Sequence, residues 1–239
     1  MTCPSICDPD LQPVATLSAD AAEEQAWNEE QLAAPVQAPA ARLWRYPQPA
    51  VVLGRSQRSL LASLQTGTHR IVQRAAGGGA VLVGPWMLGA SVVLPLGHRL
   101  LHGGSIAGSY RWLADVFVAA LALHGVAAAP VPPERSRKAA TDLAWACFAG
   151  ISAWEVAVDD RKLVGFAQRR SRQGVLLVAG VLLGSVPWQT LCDAMRRPAL
   201  QAQELAATTV DAAHLLGRPL PAATLAGTLA SALEKALVA

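Results

Sequence analysis

The stretch RAAGGGAVLVG, residues 74–84, sets three consecutive glycines inside a run that otherwise suits a buried strand. Glycine loses more backbone entropy on folding than any other residue, so such a run weakens a strand unless a bend or a close backbone approach requires it. Gly77, Gly78 and Gly79 leave their N–H groups without side-chain cover, which makes them candidates to bind a carboxylate or phosphate. Arg74 stands beside them, and its planar, permanently charged guanidinium suits those anions. A glycine-rich hairpin turn with an exposed Arg74 fits the same letters.

Outward from this segment the chain has the punctuation of strands and turns. ARLWRYP and AVVLGRS flank Pro47 and Pro49, and RIVQRA, AVLVG and GASVVLPL are separated by Gly or Pro. Residues 19–33 carry early acids and strong helix formers and are expected to be the first helix, after a disordered tail over residues 1–18. SYRWLADVFVAALALH (109–124) places Leu113, Val116, Ala120 and Leu123 on one helical side, with Gly125 as the C-terminal cap. AAAPVPPERSRKAA lacks periodicity and reads as a mobile surface connection, a candidate lid over residues 127–141. SAWEVAVD, a turn at DR, KLVGFAQR and GVLLVAGVLL form a predicted strand meander. WQTLCDAMRR and LPAATLAGTLASALEKAL give a helical end, separated by TTVDAAHLLGRPL. Strands mixed with separated helices predict a single α+β domain over residues 19–239.

Composition narrows the function classes. The chain of 239 residues is 52% hydrophobic and 15% charged, and its apolar runs are too short and too Gly-broken to span a bilayer. MTCPSICDPD has neither a basic start nor an apolar core of a secretory leader, so a cytoplasmic protein is expected. Four cysteines lack the density of a disulfide framework, and Cys3 and Cys7 are expected in a loose tail. The net charge of +3 is modest, but ERSRK (134–138) and QRRSRQ (168–173) bunch positive charge that favours phosphate or an acidic partner. With 2 Tyr and 3 Phe, and no basic segment interleaved with aromatics, neither a nucleic-acid nor a membrane partner is expected.

Two further sites carry chemistry. Lys162 opens a strand after an acidic turn, with Gly165 three residues on; its ammonium can neutralise charge developing on a carbonyl or phosphate oxygen, although most lysines after turns are solvated. Cys147 lies between Ala146 and Phe148 in AWACFAG; it reads either as an inert apolar-setting cysteine or as a nucleophile carrying an acyl group as a thioester. Neither GxxxxGK[ST] nor GxGxxG occurs, and no metal ligand set is read.

The order of LWRYPQPAVVLGRSQ, RAAGGGAVLVG, SYRWL and ACFAGISAWEVAVDDRKLVGFAQRRSRQGVLL resembles the lipoate–protein ligase and octanoyltransferase family, whose catalytic domain is shared with biotin ligases. The resemblance runs from about Glu24 to Leu183. It implies a mixed, mostly antiparallel sheet flanked by helices, with an acyl chain in an apolar tunnel. Arg74, Gly77, Gly78, Gly79, Ala80, Gly165 and Ala167 would then bind acyl group or adenylate, the three glycines as a tunnel wall, with Lys162 on the reacting carbonyl oxygen. A ligase would use ATP and Mg²⁺ to activate lipoate or octanoate and attach it to a lysine of an acceptor lipoyl domain, such as a glycine cleavage H protein or a 2-oxoacid dehydrogenase E2, with a separate accessory subunit as a further partner. No tightly bound cofactor is implied.

The chain departs from the ligase pattern. Gln73 replaces a second arginine, Ala76 a serine, Val83 and Gly84 a His-Asp pair, and Ala179 another histidine. Three readings follow: the ligase first, then an ATP-independent octanoyl or lipoyl transferase with Cys147 as nucleophile, then a catalytically silent lipoyl-binding relative.

Overall fold

The computed structural model describes residues 13–65, 69–102 and 105–238. The strands, in chain order, are β1 (Ala15–Ser18), β2 (Ala40–Arg45), β3 (Ala50–Leu53), β4 (Ile71–Gln73), β5 (Val81–Val83), β6 (Met87–Leu94), β7 (Ala129–Pro130), β8 (Val156–Val158), β9 (Arg161–Arg170) and β10 (Val175–Leu182). Seven make one sheet in the order β1-β2-β6-β10-β9-β8-β7, and β4-β3-β5 make a second, smaller one. In the large sheet β1 pairs parallel with β2 and every other pairing is antiparallel. The expected α+β fold with a mixed, mostly antiparallel sheet is therefore the fold observed.

The helices are α1 (Ala21–Glu30), α2 (Leu61–Leu64), α3 (Arg111–Ala122), α4 (Trp188–Ala194), α5 (Leu200–Thr208), α6 (Ala212–Leu216) and α7 (Ala222–Val238). Asp20 caps α1 by accepting from the N–H groups of Ala22 and Glu23, while the Glu23 carboxylate accepts from the Asp20 N–H, a reciprocal box that fixes where the helix starts. The long helices α3 and α7 pack against each other beside the sheet, α7 also meeting β1, β2 and β6. In α7, Leu225, Ala226, Leu229, Leu233 and Leu237 are buried at helical spacing. All eight residues of β6 are buried, which explains why it reads as an unbroken apolar run rather than an alternating one.

The predicted meander is present as β8, β9 and β10. Asp159 and Asp160 turn the first hairpin with φ of 48° and 58°, a left-handed pair that suits the right-handed twist of the flanking strands. Gly125, with φ 87°, follows α3 and donates to the Ala122 carbonyl.

Four details correct the sequence reading. The expected disordered tail over 1–18 ends instead in strand β1 over Ala15–Ser18, held by pairing with β2; residues 1–12, with Cys3 and Cys7, lie outside the described residues. The 127–141 connection is tied to the sheet edge rather than free: β7 pairs with β8, and Arg137 exchanges two main-chain hydrogen bonds of 2.8 Å with Ile151. The buried face of α3 is Leu113, Ala114, Phe117, Ala120 and Leu121, whereas Leu123, assigned to that face, is 77% exposed at the helix end. Helix α5, unnoticed in the sequence, sits between α4 and β9.

Candidate active site

The glycine segment leaves β4 and returns as β5, and each glycine answers a different constraint. Gly78 has φ 91°, in the region that side chains resist. A side-chain carbon on Gly79 would run into the Trp145 carbonyl, and one on Gly54 would overlap the Gly78 carbonyl oxygen. Gly77 has open space around it. The loop is a close crossing of three backbone segments. Ala80 extends it: its N–H donates to the Trp145 carbonyl at 2.7 Å and its carbonyl accepts from the Cys147 N–H at 2.8 Å. This bridge sets Cys147 directly against the glycines, its Sγ 3.5 Å from where a Gly78 Cβ would stand.

Arg74 is buried and acts as the clamp of this loop. Its Nε and Nη2 donate to the Gly77 carbonyl at 3.0 and 2.9 Å, Nη2 also donates to Gly79 at 2.7 Å, and Nη1 to Val52 at 3.4 Å. A buried guanidinium costs free energy unless its donors are met, and here main-chain oxygens meet them. Gln73 likewise spends its amide on the carbonyls of Gly54 and Arg74.

Lys162 is 1% exposed on β9. Its Nζ pairs with Glu155 at 2.8 Å and donates to the Cys147 carbonyl at 2.8 Å, beside the Phe148 ring. Glu155 also accepts from the N–H groups of Ser152 and Phe166, so both members of the buried pair have hydrogen-bond partners. The pair fixes the main chain at Cys147 from the side opposite the Ala80 bridge.

Between the two sheets lies a mostly apolar cavity of about 60 Å³. Cys147, Phe166, Ala167, Val83, Met87 and Val178 are among its walls, and Gly165 and Gly180, cross-strand partners on β9 and β10, open it further. Gly165 also admits the Phe148 ring, which a Cβ there would meet at 3.1 Å. Cys147 is half-buried and its thiol is free. One part of the lining is polar: Glu24, Gln25, Tyr46 and Arg74. The Tyr46 hydroxyl donates to Glu24 Oε2 at 2.8 Å. Burial pushes the Glu24 carboxyl above its ordinary range, opposed by that hydrogen bond and by Arg74, and burial with the nearby Glu24 pushes the Tyr46 phenol well up.

The structure thus brings Arg74, Cys147, Gly165 and Ala167 onto one cavity and sets Gly77, Gly78, Gly79, Ala80 and Lys162 around Cys147. It does not make the triple glycine the cavity wall, because the loop's crossing with Gly54 and Trp145 consumes the space that its missing side chains create. It also directs the Arg74 donors to carbonyls rather than outward. The sequence reading missed Glu155, which an alternating strand motif does not mark, and the Glu24–Tyr46 pair, whose members lie on α1 and just after β2.

A helix-flanked mixed sheet thus carries a cysteine on an apolar cavity, with a buried lysine bound to that cysteine's main chain. The sequence pattern of the lipoyl protein ligase A/B catalytic domain matches residues 20–216, and the chain belongs to that family, whose members are enzymes of lipoyl transfer. Similar curated proteins are octanoyltransferase LipM of Symbiobacterium thermophilum, 33% identical over 83% of this chain and 75% of that one, and octanoyltransferase LipM of Kyrpidia tusciae, 32% identical over 83% and 76%. Among solved structures, lipoate-protein ligase A bound with ATP superposes with a TM-score of 0.67 at 16% identity, over 95% of this chain and 86% of that one. The bipartite lipoate protein ligase of Thermoplasma acidophilum, studied with its E2 lipoyl domain, gives 0.64 at 17% identity, over 95% and 84%. Among the described residues, no helix is long and apolar enough to cross a membrane.

Proposed function

We propose that this protein is an octanoyltransferase that works through Cys147 and attaches the acyl group to a lysine of an acceptor lipoyl domain. The observation that carries the reading is the placement of the half-buried Cys147 thiol on the apolar cavity, against Gly78, in a chain about a third identical to proteins named octanoyltransferase LipM. In the first step the Cys147 thiolate attacks the carbonyl carbon of an octanoyl thioester, and the donor thiol leaves with the proton that Cys147 lost. In the second, the ε-amine of the acceptor lysine attacks the Cys147 thioester; an amide forms and the cysteine thiol is restored. Neither step consumes ATP.

The roles of the surrounding groups follow from the contacts. The N–H groups of Gly78 and Gly79 have no acceptor among the described residues and lie beside Cys147, so they are the proposed donors to the thioester oxyanion. Arg74 holds the carbonyls on either side of Gly78, those of Gly77 and Gly79, Lys162 with Glu155 positions the main chain of Cys147, and Gly165 and Ala167 shape the wall for the acyl chain.

The alternative that activates lipoate with ATP and Mg²⁺ fits these residues less well. An acyl-adenylate carries its phosphate directly on the acyl carbonyl, where a cation with free donors is needed. The two cations beside Cys147 are Arg74, committed to carbonyls, and Lys162, committed to Glu155.

The test is intact mass of the purified protein after octanoyl thioester alone, then of a lipoyl domain added with and without ATP. An octanoyl adduct lost in Cys147→Ala, followed by ATP-independent transfer, is expected. Acceptor modification that requires ATP and survives Cys147→Ala would replace this reading with the ligase.

A further inference from the structure

Glu155 is the carboxylate that meets Lys162, and both side chains are almost wholly shielded from solvent. Its position is held from several sides. Oε2 accepts from the Ser152 N–H at 2.6 Å and Oε1 from the Phe166 N–H at 3.1 Å, while its main-chain carbonyl accepts from the Val131 N–H at 2.8 Å. The residue before it, Trp154, has φ 70°, a left-handed conformation costly for a bulky side chain, and donates to the Val131 carbonyl at 2.6 Å. A strained turn is thus maintained at the place where it presents a carboxylate to Lys162. Strain of this kind persists only where the surrounding structure enforces it, and it clusters at functional sites.

The consequence lies in what Lys162 touches. Nζ is 2.8 Å from the main-chain oxygen of Cys147, and the sulfur of that residue is only a few bonds from the oxygen. An amine this near a cysteine thioester competes with any acceptor lysine, because a group already in place reacts at a high effective concentration. As a neutral amine, Lys162 Nζ would attack the acyl carbonyl carbon: a C–N bond forms, the C–S bond breaks, and the sulfur leaves as thiolate and takes the proton that the nitrogen sheds. The product is an octanoyl amide on Lys162, which neither step of the transfer cycle reverses. As an ammonium, Lys162 has no lone pair to offer. We infer that Glu155 reserves the acyl group for a foreign amine: it holds Lys162 protonated against the main chain of Cys147 and so blocks octanoyl transfer from Cys147 to the enzyme's own lysine. The inference rests on the Cys147 transferase reading. Glu155 acts through Lys162, as a positioning residue. Its loss would leave a buried ammonium without a counter-charge, and burial favours the neutral form of a lone amine.

The experiment is incubation of the full chain with an octanoyl thioester and no acceptor, followed by intact mass before and after neutral hydroxylamine, which cleaves a thioester and leaves an amide. Peptide fragmentation then locates any resistant octanoyl group. Wild type, Glu155→Gln, Glu155→Asp and Lys162→Met/Glu155→Leu are compared, with circular dichroism to establish the fold of each. Expected in wild type is a labile adduct. Glu155→Gln should convert it to a resistant one on Lys162 at a rate about tenfold or more above wild type, since burial shifts the protonation of such an amine by factors of ten. The exposed Lys138 and Lys235 should stay unmodified. The double variant, with no amine at the site, should keep a labile adduct. Glu155→Asp, a methylene too short to meet the Ser152 and Phe166 N–H groups and Nζ together, should form the same amide at an intermediate rate, and it carries the test if Glu155→Gln fails to fold. An adduct that stays labile in every Glu155 single variant that folds would overturn the inference and leave the transferase reading standing, as would resistant octanoyl groups on Lys138 and Lys235 in place of Lys162. Absence of any adduct in folded wild type would remove both.

Discussion

The ammonium of Lys162 donates to the main-chain oxygen of Cys147 at 2.8 Å while Glu155 neutralises it at the same distance, so one buried ion pair fixes the backbone of the proposed nucleophile. Removing either partner leaves an uncompensated buried charge. Lys162→Met and Glu155→Gln are each expected to lower unfolding free energy by about 3–5 kcal/mol, with Lys162→Met/Glu155→Leu recovering part of the loss. Urea unfolding of the three variants checks this; additive losses in the double variant would show that the pair is not coupled.

Cys147 makes only main-chain hydrogen bonds, so its side chain is dispensable for the fold. Cys147→Ala is expected to cost under about 1 kcal/mol, in keeping with a small volume change at a half-buried site, while abolishing the octanoyl adduct. Cys147→Ser should form no detectable thioester, and any trace oxygen ester would resist hydroxylamine at neutral pH. Intact mass with and without hydroxylamine reads both.

Two neighbouring glycines separate strain from space. Gly78→Ala puts a side chain on a residue at φ 91° and 2.8 Å from Arg74 Nη2, and is expected to cost about 1–2 kcal/mol and to slow adduct formation. Gly77→Ala meets nothing within 4 Å and should stay within about 0.5 kcal/mol of wild type. Equal effects at the two positions would contradict the crossing described for this loop.

Glu24 gives stability a pH dependence of known sign. Burial raises its carboxyl above the unfolded value of 4.5, so the folded chain binds more protons there; the stabilisation is complete below 4.5 and is lost as pH rises through the higher folded value. Asp20, lowered mainly by the Glu23 N–H, acts oppositely, losing its contribution as pH falls below the unfolded value of 3.8. Glu24→Gln keeps an acceptor for Tyr46 and should lose the decline above 4.5. Thermal melts from pH 4.5 to 8 compare the two chains, and parallel curves would refute the assignment.

Gly180 tests the proposed acyl wall through a neighbour. A Cβ there stands 2.9 Å from the Met87 sulfur, and both residues line the cavity, so Gly180→Ala forces the flexible thioether into the space for the chain. Chain-length preference should move from octanoyl toward hexanoyl in competition assays read by mass, with little change in adduct formation from short donors.

Much of the secondary structure was legible from short-range pattern. The hairpin turn, read one residue late at Asp160–Arg161, the apolar runs of β6 and β10, the helical period of α3 and α7 and the Gly125 cap are each written within a dozen or so neighbouring residues, where side-chain periodicity and backbone preference act. The family resemblance rested on the same local signals, Arg74 with its glycines and Lys162 with Gly165. Where the sequence reading failed, a remote partner had decided. Residues 15–18 lack strand character of their own and become β1 by pairing with β2, and the segment over 127–141 is ordered by β8 and Ile151.

For the site, residue types alone offered a cysteine, a lysine, an arginine and a side-chain-free loop as candidates, and the family resemblance supplied the acyl chemistry. Only the tertiary structure decided what each touches: Arg74 meets carbonyls from its own loop and from β3, Lys162 meets Glu155 across a hairpin, and Glu24 meets Tyr46 from another element. The physical reason is that hydrogen bonds and charge pairs in a buried, low-dielectric site depend on positions within a few ångströms, set by the packing of strands and helices distant in sequence.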